Sequence, residues 1–359
     1  MNNDLGEEES ITKDRKEFRK YSASWVDRFT DWVERLPGPS WSYYLGLGLL
    51  LFVLQFIALW IEGIFPNGTI DPAQLFLAVS IPYMLALIHY FDKRAITALA
   101  KMRPAMKTND EEYIALEYKL TTLPALPAIL AGLVGISCIF LLEAISGGPY
   151  RLEALDAFPI SAVLFRILYF ILWGAFGTIV YHTFHQLNLI GRIYTQFTRI
   201  NLFRLKTLYA FSNLTALTAV GLALLPIGFL IANPWATWSD PAVFGAVLTV
   251  QIIALATFIW PQFGIHRLQV EEKERLLEDA NQRFESMIQV IHQKVDGGKL
   301  EGAMDLNMTV SSLQTEIKMI ENIPTWPWNP ETIRLLITAL ALPLGVWLIQ
   351  LILGRLVGS

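Results

Sequence analysis

Seven long apolar runs punctuate this chain, and positive charge is sorted between them. Of the 28 Lys and Arg residues, 24 lie in alternate gaps: seven before Trp41, six between Asp92 and Thr122, four between Thr183 and Thr207, and seven between Gly264 and Asn329. The other three gaps hold one, Arg151. Loops rich in Lys and Arg stay in the cytoplasm. The pattern therefore predicts an all-α polytopic integral membrane protein with seven transmembrane helices, its N-terminus cytoplasmic and its C-terminus outside.

A bilayer core needs about 20 apolar residues per helix. The runs that meet this are Tyr43–Ile61, Ala73–Tyr90, Leu123–Leu142, Ile160–His182, Leu208–Ala232, Val243–Phe263 and Ile333–Leu353. The expected parts are a cytoplasmic amphipathic N-terminal segment (1–40), a six-span bundle (41–263), a cytoplasmic helical hairpin (264–329) and a seventh span (330–359). The expected location is the cell membrane, plasma or inner. The chain is 53% hydrophobic with charge concentrated outside the runs, and its net charge of -4 gives no footing for nucleic acid. No signal-peptide pattern opens the sequence, so the first span is expected to direct insertion.

Residues 10–36 read as an amphipathic helix with Phe18, Tyr21, Trp25, Phe29, Trp32 and Leu36 on one face. That face suits either the headgroup boundary or the protein's own cytoplasmic surface. In the hairpin, Leu277, Ala280, Phe284, Met287 and Ile291 repeat by threes and fours. After Asp296-Gly297-Gly298, so do Ala303, Leu306, Val310, Leu313, Ile317 and Ile320. Two such seams joined by a Gly-Gly break predict antiparallel helices, pairing within the hairpin or between subunits. Glu271 and Arg275 are spaced to pair on the first arm. Near Trp326 and Trp328, Asn329 reads as an N-cap and Pro330 as the first residue of span seven, with Pro343 at its middle.

Arg166 is the one cation deep in a run, where an unpaired charge costs about 2.5–3.5 kcal/mol. Glu62 and Glu143 end two other runs at the same outer level, so the three residues suggest an outer pocket or an ion pair. At the inner ends, His89 and Asp92 share one helix face and His182 and His185 another. Three imidazoles and a carboxylate suit zinc with an open position for activated water; histidines at a membrane boundary also serve plain amphipathic roles. Small residues at Ala128, Gly132, Ala131 and Gly135, and at Gly174 and Gly177, are spaced for close helix packing. Gln55, Ser212, Asn213, Thr215, Thr218, Gln251, Thr338 and Gln350 are polar positions within spans that suit either interhelical bonds or a path. Among them, Thr338 and Gln350 stand near the two ends of span seven.

The order of parts resembles the seven-transmembrane ion channel superfamily of insect odorant and gustatory receptors. It is similar in its inside N-terminus, long inner helices and cytoplasmic helical region before the last span. The insect last span carries Thr-Tyr and then Gln-Phe; here Gln350 is followed by Leu351, so no binding residue carries over. The resemblance implies a homo-oligomeric channel whose last span lines or gates a path. The inner-leaflet zinc site of progestin and adiponectin receptor-type hydrolases offers a second reading, although their last-span His pair is missing here. A third is a membrane scaffold recruiting a soluble partner through 264–323. The expected partners are thus the lipid bilayer, further copies of the chain and a soluble protein. No cofactor is expected outside the zinc reading, and a non-enzymatic role is read ahead of an enzymatic one.

Overall fold

The computed structural model describes residues 21–63, 72–146, 158–199, 201–204, 207, 209–232, 241–298, 302–328 and 330–357. The fold is all-helical, and each of the seven apolar runs falls on a helix. In chain order the α-helices are α1 (Trp25–Arg35), α2 (Ser40–Ile61), α3 (Pro72–Met102), α4 (Asp110–Thr121), α5 (Ala125–Ser146), α6 (Pro159–Gln196), α7 (Ala210–Ala232), α8 (Pro241–Asp296), α9 (Ala303–Glu321) and α10 (Pro330–Val357). Six of them, α2, α3, α6, α7, α8 and α10, are long and apolar enough to cross a membrane, and Ala125–Leu141 of α5 is a shorter apolar stretch.

The molecule has two kinds of surface. Around the bundle, large apolar side chains point outward, among them Leu45 and Leu49 of α2, Leu133 and Val134 of α5, and Ile252 of α8. A soluble protein does not leave so much contiguous apolar surface in water. At one end the logic reverses, and an ordinary core forms. There Val26, Val33, Ile88, Phe91, Leu99, Met102, Leu116, Leu120 and Ile190 are all buried. This end is built because α3 and α6 do not stop where their apolar runs do. They continue to Met102 and Gln196, past the expected limits at Tyr90 and His182. A helix carries on through polar sequence when one face still has a partner, and here α1 and α4 supply it.

The sequence left the aromatic face of α1 to the headgroup boundary or to the protein's own surface, and the structure turns a different face of that helix to the core. Its buried residues are Val26, Asp27, Thr30 and Val33, while Trp25 and Trp32 are exposed. The cause is Asp27, whose Oδ2 accepts from Ser24 N (2.9 Å), Ser24 Oγ (2.8 Å) and Leu123 N (2.9 Å). One carboxylate thus caps α1 and fastens it to the start of α5. Residues 10–20 of the expected amphipathic helix lie outside the described residues.

The hairpin forms as an antiparallel pair. The first arm is not separate from span six: α8 is one helix of 56 residues that begins in the bundle and ends at Asp296. Gly298 (φ 66°) and Gly302 (φ 76°) take the left-handed conformation that the turn requires. Lys273 Nζ donates to the carbonyls of Glu321 (2.6 Å) and Ile323 (3.0 Å), and Arg283 lies 3.7 Å from Glu316. The Glu271–Arg275 pair does not form. Arg267 takes Glu271 (2.8 Å) at the same four-residue spacing, and Arg275 takes Glu272 (2.7 Å) three residues away.

Candidate functional site

Two places in the fold gather chemistry. The first is the inner end, where α1, α2, α3, α4 and α6 meet. His89 on α3 stands between Glu34 and Tyr44. Its Nε2 lies 2.8 Å from Glu34 Oε1, and its Nδ1 lies 2.8 Å from the Tyr44 hydroxyl. Lys93 Nζ reaches the same Glu34 oxygen at 3.2 Å. Glu34 is held below the ordinary carboxylate value: partial burial pushes it up, but the hydrogen bonds and charges of His89 and Lys93 outweigh that.

One turn on, His182 of α6 donates from Nε2 to Asp92 Oδ1 (2.9 Å), and both residues are buried. His185 donates to the Lys119 carbonyl (3.1 Å), and the Tyr21 hydroxyl lies 3.3 Å from the same nitrogen. That hydroxyl itself donates to the Thr122 carbonyl at 2.6 Å.

The four residues singled out for zinc therefore lie at one end of the bundle, but they do not converge on one point. Among the described residues, no three His, Cys, Asp or Glu side chains form a group that could hold a metal ion. The donor atoms explain why. His89 uses both ring nitrogens, His182 is turned to Asp92, and His185 is turned to a carbonyl on α4. The arrangement clamps helices: each imidazole ties one of the long helices α3 or α6 to a neighbour. Glu34, Asp27, Tyr21 and Tyr44 belong to this network and were not singled out from sequence. The one signal available was acid at four- and three-residue steps (Asp27, Asp31, Glu34) on a helix chosen for its aromatics, and of these Asp27 is buried while Asp31 and Glu34 are exposed.

At the outer end, Glu62 turns to the backbone. Both oxygens of Glu62 accept backbone N–H groups at the start of α6, from Ile160 (2.9 Å) and Ser161 (2.9 Å). Glu62 is thus a cap for α6, supplied from α2. Arg166 is exposed on α6, and Glu62 does not meet it. The side chain of Glu143 lies outside the described residues. Its place on α5 is set by packing, because Phe140 lies beside Phe170 and Gly135 beside Trp173 and Gly177. Continuing that antiparallel register brings position 143 to the level of Arg166.

The second place is the junction of α8, α9 and α10. Before α10 starts, Trp326 stacks on His266 of α8 (3.8 Å between centroids) and on Trp328 (4.3 Å). Trp328 in turn stacks on Phe258 of α8 (5.8 Å). His266 Nδ1–H donates to the Thr325 carbonyl at 3.0 Å, so the ladder is pinned at one end. Beyond it, Leu336 and Ala339 of α10 are buried at the contact with α7 and α8. Gln350 donates to the Leu230 carbonyl of α7 (2.8 Å). Thr338 bonds back to Arg334 of its own helix (2.9 Å) and is exposed on the open side. Asn329 lies outside the described residues, and α10 runs unbroken through Pro343.

The other polar positions within spans mostly join helices or bond back. Gln251 donates to the Ala223 carbonyl (3.3 Å), Gln262 donates to Thr215 (3.0 Å), and Gln55 and Thr218 bond within their own helices. Gln262, which is buried, was missed as glue between helices because it lies where span six turns polar. Comparisons with protein-family profiles, with curated proteins and with solved structures returned no match, so the likeness to insect receptor channels rests on the order of parts alone.

Proposed function

We propose that this chain is a seven-span, channel-like membrane protein in which α10 is a gating element moved by the cytoplasmic hairpin. The α5 helix supplies the seventh span: its 22 residues extend about 33 Å, enough for a bilayer core. The end that holds α1 and the hairpin faces the cytosol, because Arg28, Lys93, Arg94, Lys101, Arg103 and Lys107 lie there.

The observation that carries this reading is the junction. Helix α8 is a continuous rod from bundle to hairpin tip, and the His266–Trp326–Trp328–Phe258 ladder fastens the entry of α10 to it. A displacement of the hairpin is then a displacement of α10. Thr338 faces away from the bundle, so a path lined by this face of α10 exists only between copies of the chain. The reading therefore requires a homo-oligomer.

Reconstitution into liposomes tests both halves. The protein is expected to run as an oligomer in detergent and to pass monovalent salt. Thr338→Trp is expected to cut flux at least about tenfold while leaving thermal stability within about 0.5 kcal/mol, because the site is exposed. A monodisperse monomer without flux would sink the reading and leave the scaffold role.

A further inference from the structure

On the hairpin, one face stands apart from its surroundings. At about 100° per residue, Met304, Met308, Ser311, Ser312, Thr315 and Met319 of α9 fall within an arc of about 100°. The arc carries no charge. Its methionines are well exposed, Met304 by 78%, Met308 by 63% and Met319 by 64%. The opposite face, with Leu306, Val310, Leu313 and Ile317, is the one turned toward α8. At the membrane-proximal end of the stripe, Phe203 from the α6–α7 connection stands 70% exposed and closes one side of a groove. The groove has a volume of about 430 Å³ and runs along Ser311, Ser312, Thr315, Glu316 and Met319.

The surroundings are acidic. Residues 264–323 hold seven Lys and Arg against eleven Asp and Glu, a net charge of -4. Glu271, Glu274, Glu278, Asp279 and Glu285 are exposed on α8; Asp305 borders the stripe on one side together with Glu316, which lies 3.7 Å from Arg283, and Lys318 stands at the other edge. Methionine is adaptable and polarizable, and it suits surfaces that accept a helix. A second copy would bring its own surplus of acid to the contact, and an anionic lipid surface would repel it.

From this we infer that the α9 stripe and the Phe203 groove dock a basic amphipathic helix of a soluble protein, apolar face down and Lys or Arg toward the flanking acids. That the partner is cytosolic rests on the orientation given under the proposed function; the docking chemistry does not.

Titration of the full chain in phosphatidylcholine nanodiscs with a labelled Leu/Lys amphipathic peptide of about 18 residues tests the inference. A Leu/Glu peptide of the same pattern and empty discs serve as references. The Leu/Lys peptide is expected to bind saturably, more weakly as salt rises, and the Leu/Glu peptide not to bind. The double variant Met308→Gln, Met319→Gln is expected to weaken binding about tenfold, and Asp305→Asn is expected to weaken it less. These positions lie on the outer side of α9, so the fold is kept, and an unchanged melting curve verifies this. Equal binding of the two peptides, or wild-type binding by the methionine variant, overturns the proposal. So does cross-linking of Met308→Cys between two copies in a Cys138→Ser background. A tag placed after Ser359 reads the orientation separately, and an outside hairpin would change the partner's compartment without altering the titration.

Discussion

Two helices sit at the rim of the bundle, and they are held in opposite ways. Helix α5 is joined to α6 backbone against backbone. A Cβ on Gly135 would collide with the Trp173 carbonyl, and one on Gly177 with the Ala131 carbonyl. A Cβ on Gly132 would meet the Gly174 carbonyl at 3.4 Å, an ordinary contact. Helix α10 is held by side chains: Leu336 and Ala339 at its middle, Gln350 near its end and a stack of aromatic rings before its start. Backbone contact fixes register and leaves no rotamer to change. Side-chain contact can be remade in a second arrangement. One rim helix is therefore built to stay, and the other is able to shift.

The largest expected effect comes from breaking the first contact. Gly135→Val or Gly177→Val forces α5 away from α6 and is expected to cost about 3 kcal/mol or more. Thermal unfolding in detergent checks this against Gly191→Ala on the same α6. A Cβ at Gly191 meets nothing within 4 Å, and this change should be neutral or stabilise by up to about 1 kcal/mol. If Gly135→Val melts with Gly191→Ala, the two rim helices do not differ in the way described.

The second effect is local. Trp326→Ala removes the middle of the ladder, and each ring pair contributes about 0.5–1.5 kcal/mol beyond burial. A loss of about 2 kcal/mol is expected to fall on α10 alone. Amide exchange should accelerate across 330–342 while α5 keeps its protection. Uniform acceleration in both helices would mean that the ladder supports the whole fold and does not couple the hairpin to α10.

Much of this difference was legible in the sequence. The glycine spacing on α5 and α6 marks close packing because no other residue permits it, and Trp326 and Trp328 between prolines mark a re-entry point. The apolar runs marked the order of the long helices. What stayed hidden depends on which side chains meet across long separations. Glu34 and His89, or Asp92 and His182, are joined 55 and 90 residues apart, and helical periodicity places each residue on a face without naming the face opposite. The same limit left the facing of α1 open. Its aromatic stripe outweighed Asp27 in any hydrophobic count, yet three hydrogen bonds to that carboxylate decided the orientation. The helix ends were missed for a simpler reason: α3 and α6 leave their apolar runs without a Gly or a cap, so nothing local marks a stop, and α8 carries on through the Gly264 that follows its run.

The smallest effect sharpens the α5 side of the comparison. The helix on which α5 leans begins at Pro159, and its free N–H groups at Ile160 and Ser161 are satisfied by Glu62. Glu62 is held below the ordinary carboxylate value of 4.5: slight desolvation pushes it up, and the hydrogen bonds from Ser161 and Ile160 outweigh it. A carboxyl depressed in the folded state favours folding above its unfolded value and loses that contribution as pH falls through the folded one. Stability should therefore be level above about pH 4.5 and decline below it. In Glu62→Gln the amide oxygen still accepts one N–H but carries no charge for the helix N-terminus, so the melting temperature should be slightly lower at pH 7. Its difference from wild type should shrink as both are taken below the carboxylate range. A difference that stays constant with pH would show that the charge of Glu62 contributes nothing and that its hydrogen bonds alone hold the start of α6.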